Sequence, residues 1–269
     1  MSRIDELLAE ASKLREAENW QGLLQLLESG VAAFRESGAD EDAARILFDI
    51  SFVPEETVGY ERRVFAAREA ADIFERLGKL SEAAKALWRA AQCQSMKADS
   101  LDEEDDPDAE SVRESALEDF ARVALLYEQA GDSLQSALTR VEMGQIHQLG
   151  PQEHDIALDH YEVAEPVIRR LGTGDDLAEC LLYKGVALYE LQGGDEDLVA
   201  LLREALELYR ASDLDHGQEL AHMYLVQAAA TYDPDEARRC AEAGLAYARE
   251  TGNDSLAGDI QDTLARMED

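Results

Sequence analysis

Basic residues are scarce: 25 lysines and arginines stand against 59 acids in 269 residues, a formal net charge of −34. A surface of that sign repels nucleic-acid phosphates and anionic membranes, so direct nucleic-acid and membrane partners are not expected. Lysine is the scarcer base, with only Lys13, Lys79, Lys85, Lys97 and Lys184. A GC-rich genome and a salt-loving host both give that bias, and composition does not separate them. Cysteine is limited to Cys93, Cys180 and Cys240, far apart and without CxxC spacing, which reads as small buried side chains in a reducing compartment. No apolar run approaches the ~18 residues of a membrane helix. Acids interrupt the N-terminus MSRIDELLAEASKL where a signal peptide needs an apolar core, so a cytoplasmic protein is expected. Five prolines and few β-branched runs leave little to stop a helix. Catalytic motifs are missing as well. The five histidines (His147, His154, His160, His216 and His222) show no HExxH spacing, and no GxSxG, P-loop or GxGxxG occurs. The reading is therefore not an enzyme, with no metal and no cofactor.

What the chain has is a repeat. Small or apolar residues recur about every 40 positions, each set ending near a glycine or its equivalent. The sets are Leu23/Leu27/Gly30 before Gly38, Arg63/Ala67/Ala70 before Gly78, Ala116/Phe120/Val123 before Gly131, Ala157/Tyr161/Ala164 before Gly172, Leu198/Leu202/Ala205 before Asp213, and Ala237/Ala241/Gly244 before Gly252. Ala, Leu, Glu and Arg dominate, all good helix formers. A period of this length predicts an all-α solenoid, each unit burying its apolar stripe against its neighbours. Thirteen helices are expected: about six helix-turn-helix pairs and a C-terminal capping helix whose polar face carries Asp254, Asp259, Asp262, Glu268 and Asp269. Ser2, Asn19, Ser81 and Asp195 are candidate N-caps. One domain, 1–269, is predicted. The one long spacing, 53 residues, places an acidic solvated loop at about 99–110, with Asp102, Glu103, Glu104, Asp105, Asp106, Asp108 and Glu110 around Pro107. Read as a calcium loop it fails, with Pro107 at the sixth position and Arg113 at the twelfth. It is a spacer, or an attractor for a basic segment, or a flap over the binding face.

A second column lies thirteen residues beyond the stops: Ser51, Ala91, Gly144, Gly185 and Ala265, all small. With the small-x₃-large-x₂-small pattern, clearest at Ala157-x₃-Tyr161-x₂-Ala164, this resembles the tetratricopeptide repeat, in its extended variety of about 40 residues found in kinesin light chains and bacterial regulators. The stretch Ala178–Ala205 is the best match. The family's closing proline is missing and the 99–110 insertion interrupts the third unit. The resemblance implies a right-handed superhelix whose first helices line a concave groove, peptide or protein binding, and no chemistry. It places Phe48, Trp88, Val141, Leu182 and Met223 on the groove, followed by Phe52, Gln92, Gln145, Val186 and Gln227. The alternative is that longer helices turn these side chains into the hairpin interior. Arg140 and Lys184, in neighbouring units, are candidates to clamp a partner carboxylate, or else pair with local acids.

The function expected is a bacterial adaptor or regulatory scaffold holding a protein or peptide partner with basic segments. Two alternatives stand beside it. One is an acidic nucleic-acid mimic that inhibits a basic DNA- or RNA-binding protein. The other is a peptide-sensing switch whose output is another protein. Exposed terminal helices also leave self-association open.

Overall fold

The computed structural model describes residues 3–212 and 215–268. Among them every regular element is an α-helix. In chain order these are α1 (Arg3–Glu16), α2 (Trp20–Glu36), α3 (Asp40–Ile50), α4 (Glu55–Val58), α5 (Tyr60–Arg76), α6 (Leu80–Glu103), α7 (Ala109–Ala130), α8 (Ser133–Leu149), α9 (His154–Leu171), α10 (Gly174–Gln192), α11 (Glu196–Ser212), α12 (Asp215–Tyr232), α13 (Pro234–Thr251) and α14 (Asp254–Glu268). The fourteenth helix, beyond the thirteen expected, is the single turn α4, which starts at Glu55 just behind Pro54, where the sequence predicted only a break. The chain divides into two compact units, Met1–Thr139 and Arg140–Asp269.

Local chemistry sets the boundaries. Asn19 Oδ1 accepts from Gly22 N at 3.1 Å and opens α2, and Asp195 Oδ1 accepts from Leu198 N at 2.8 Å and opens α11. The expected cap at Ser81 is corrected: α6 starts at Leu80, behind Lys79, with no side-chain cap. Ser2, Asp213 and Asp269 lie outside the described residues. At Gly131 and Gly252 the chain takes a left-handed turn (φ +80° and +70°) that closes α7 and α13, a conformation costly to any residue with a Cβ. Gly172 does otherwise: it is extended, and Thr173 and Asp176 form a reciprocal capping box that starts α10.

Each unit has its own core. In the first, Leu23, Leu27, Ile46, Leu47, Ile50, Phe74 and Leu87 are buried together. In the second, Leu181, Leu202, Leu225, Val226 and Ile260 do the same. Each such side chain contributes about 1.5–3 kcal/mol when fully buried. The repeat columns supply these residues: Leu23, Ala67, Ala116, Ala157, Leu202 and Ala237 are all fully buried. Arg63 departs from its column and its Nε donates to Ser51 O at 3.1 Å. The column fades on α14, where Gln261 and Ala265 are exposed.

The acidic loop expected at 99–110 is corrected to a five-residue turn, 104–108. Asp99, Asp102 and Glu103 belong to α6, and Glu110 belongs to α7. Ala98, Leu101 and Ala109 are buried inside the stretch read as solvated, so both helices continue. Arg113, itself buried, bonds Asp102 across the hairpin and Glu110 at 2.6 Å on its own helix.

Candidate functional site

The residues placed on one groove by the repeat pattern divide into four groups. Val141 and Leu182 are 4% and 1% exposed and belong to the core, so in the free chain they are closed to a partner. The pattern predicted them exposed on the groove, and instead both are packed into the buried core. Trp88 and Met223 are half-buried and pack against the cores of their units. Gln145 and Lys184 are committed within the chain: Gln145 Nε2 donates to Glu179 Oε1 at 2.8 Å, and Lys184 Nζ to Glu165 Oε2 at 2.8 Å. Arg140 also has a partner. The carboxylate clamp of Arg140 and Lys184 is therefore corrected: Glu165, held below the usual carboxylate range by Lys184 and Arg169 in spite of its burial, already occupies Lys184.

Phe48 and Phe52 remain, and they meet in the first unit. Phe52, just past α3, is 45% exposed. Its ring stands edge-on to Phe48, with centroids 5.0 Å apart, and lies 4.5 Å from the Arg89 guanidinium of α6. Arg89 is only 9% exposed; its Nη1 donates to Gln92 Oε1 at 2.5 Å and its Nη2 to Ser51 O at 3.3 Å. Burial and the neighbouring Arg63 hold Arg89 below its usual pKa, and no carboxylate pairs with it among the described residues. Phe52 is thus a large apolar surface fixed in place by a cation and a second ring, worth on the order of 1 kcal/mol for each such contact. Arg89 was not predicted; its apolar neighbours on α6 gave no sign that a base belonged there.

In the second unit a cavity of about 250 Å³ opens among α10, α11 and α12. Asp175, Asp176, Glu179, Leu182 and Tyr183 line it from one face of α10, Tyr209 from α11, and Gly217 and Leu220 from α12. A Cβ at 217 would run into the Tyr209 ring, so glycine there is what lets the ring lie against α12. Of the predicted residues Leu182 forms part of its wall, and Gln145 touches it through Glu179. The tyrosines and carboxylates were missed, because in a chain with 59 acids no single acid stands out.

All three cysteines are buried and unpaired, and burial pushes the Cys180 thiol up to about 12. Among the described residues no cluster of three or more His, Cys, Asp or Glu side chains could hold a metal ion, and no helix is long and apolar enough to cross a membrane.

No family model and no curated protein matches the sequence. Solved structures do. The chain is similar to the apo form of RapI, at 13% identity and a TM-score of 0.61, over 99% of this chain and 98% of that one. It is also similar to a signal-transduction ATPase with numerous domains carrying a tetratricopeptide repeat sensor, from Pyrococcus horikoshii, at 17% identity and a TM-score of 0.53. That match spans 99% of this chain and 44% of the ATPase. At these identities the likeness establishes the fold: an all-α, tetratricopeptide-like helical-repeat protein.

Proposed function

We propose that this protein is a non-catalytic scaffold that binds a polypeptide segment on its helical-repeat surface, with Phe52 as the apolar anchor. The observation that carries the reading is Phe52 itself. It is a large exposed ring already held by Arg89 and Phe48, so binding costs little further ordering of that side chain. The helical-repeat fold supports the same reading, since such arrays present extended surfaces to partners. A peptide-sensing role is the second version, favoured by the likeness to a protein whose repeat segment is a sensor.

The test is selection of binding peptides from a random display library on the immobilised full chain. The affinity of the selected peptides is then measured for the native protein and for Phe52→Ala. Loss of the anchor should weaken binding by about thirtyfold, as for a hot-spot aromatic, with the chain still folded and the melting temperature lowered by only a few degrees. Apolar anchoring should also persist as salt rises from about 0.1 M to about 1 M, where the Debye length falls from ~10 Å to ~3 Å. Binders that ignore Phe52→Ala and vanish in salt would overturn this reading in favour of an acidic nucleic-acid mimic.

A further inference from the structure

A second cavity of the second unit, about 290 Å³, lies among α11, α12 and α13. Arg203, Glu207 and Arg210 are spaced four and three apart, so they share one face of α11. Glu236 and Arg239, three apart, meet them from α13. These charged groups come from the second helices of two successive repeats. The repeat pattern places its groove on the first helices instead, at Leu182 of α10 and Met223 of α12. The charge is also the reverse of the chain's average. Acids outnumber bases 59 to 25 in the sequence, yet three arginines and two glutamates line this cavity.

Glu236 shows how the cavity treats a carboxylate. It is buried and takes a guanidinium on each side: Arg239 Nε donates to its Oε2 atom at 2.8 Å, and Arg203 pairs with its Oε1 atom. Both arginines remain exposed, with further N–H groups to offer.

Arg210 is the independent observation. It makes no ion pair among the described residues, with Glu207 or any other acid. Its Nη2 atom donates at 3.1 Å to Nε2 of His222, a ring 1% exposed that lines the same cavity. A guanidinium has only donors, so Nε2 must be the bare nitrogen and the ring neutral. Stacking on Tyr247, with centroids 5.2 Å apart, fixes the ring there. Arg169 of the same unit is given two carboxylates, Glu165 and Glu204, whereas Arg210 is given a buried neutral ring and keeps an unmatched charge.

We propose that this cavity binds a carboxylate, held by the guanidinium forks of Arg210 and Arg203 beside His222. One added negative charge brings the five charged groups to balance, which favours a monoanion over a dianionic phosphoryl group. The proposal goes beyond the scaffold reading, since it adds a site on other helices that does not involve Phe52.

The experiment uses the full chain with ¹³C,¹⁵N-labelled histidine at neutral pH and constant ionic strength. The probes are propionate, N-acetyl-glutamate methylamide and the neutral N-acetyl-glutamine methylamide. Both carboxylates should shift the His222 ring signals, assigned with His222→Gln, saturably, and the glutamine derivative should not. Arg210→Gln, at an exposed position, should weaken binding about tenfold. Glu207→Gln removes a competing charge and should tighten it. Thermal melting confirms that both variants fold. A response to the glutamate derivative at lower concentration than to propionate assigns the source to an acidic residue of a polypeptide, and otherwise the source is a free small acid. Phe52→Ala should leave the shifts unchanged, so a failure here is separable from a failure of the Phe52 anchor. Silence with both carboxylates, an equal shift with the glutamine derivative or with sodium chloride, or undiminished binding in Arg210→Gln would overturn the proposal.

Discussion

At the scale of single residues, small side chains do the most consequential work. Gly144 of α8 faces Tyr161 of α9, and a Cβ at 144 would sit 2.6 Å from the Tyr161 Cε1 atom. Tyr161 cannot retreat, because it is fully buried and its hydroxyl donates to Gln148 Oε1 at 2.8 Å. Gly144→Ala gains ~0.5–1 kcal/mol in helix propensity and loses about 1–3 kcal/mol to overpacking. The net expectation is destabilisation of about 1–2 kcal/mol in denaturant unfolding. A stabilised variant would show that the α8–α9 pair has slack. At this scale the columns of small residues are legible in the sequence, since packing forbids anything larger. The Arg89–Phe52 stack is not, because its partners lie 37 positions apart on different elements.

At the scale of elements, the α6–α7 hairpin shows how charge can mislead. Its acids read as a solvated loop, but Ala98, Leu101 and Ala109 lie between them, and both helices extend to bury those side chains. The extension needs a cation at the base of the turn, and Arg113 supplies it, buried between Asp102 and Glu110. Arg113→Ala should cost about 1–3 kcal/mol, from lost charge-assisted hydrogen bonds and lost stem packing. Hydrogen exchange should quicken in residues 98–112 before it quickens in α5. Uniform quickening across the first unit would mean that the hairpin end is not a separately opening segment.

For the molecule as a whole, acid should be the destabilising direction. His160 and His222 are both pulled down to about 4, each chiefly by burial. His147 and Arg140 add to the shift at His160, and Arg210, 3.1 Å from the His222 Nε2 atom, adds to it at His222. Folding therefore favours the neutral rings. Their contribution is complete above the unfolded value near 6.5 and is lost as pH falls toward about 4. Unfolding at about pH 5 rather than about pH 7.5 should show a loss of about 1–2 kcal/mol per histidine, and His222→Gln should flatten that slope. Burial raises Asp49, Asp99 and Asp119, which act in the opposite sense as they protonate. A stability that holds on acidification would mean those carboxyls outweigh the histidines.

The sequence by itself determined the all-helical class, the repeat and most helix limits. Those depend on local propensity and on a periodic stripe that any neighbouring helix must cover, as at Leu23, Ala157 and Leu202. It also determined the charge of −34, which needs no fold at all. Only the tertiary structure decided which apolar side chains of the two predicted groove columns are exposed. Phe52 is exposed while Val141 and Leu182 are shut, because exposure depends on which helix lies over a residue and at what distance. It alone brought Glu179, Tyr183 and Tyr209 around one cavity, a meeting made by glycine at 217 and the close approach of α11 to α12.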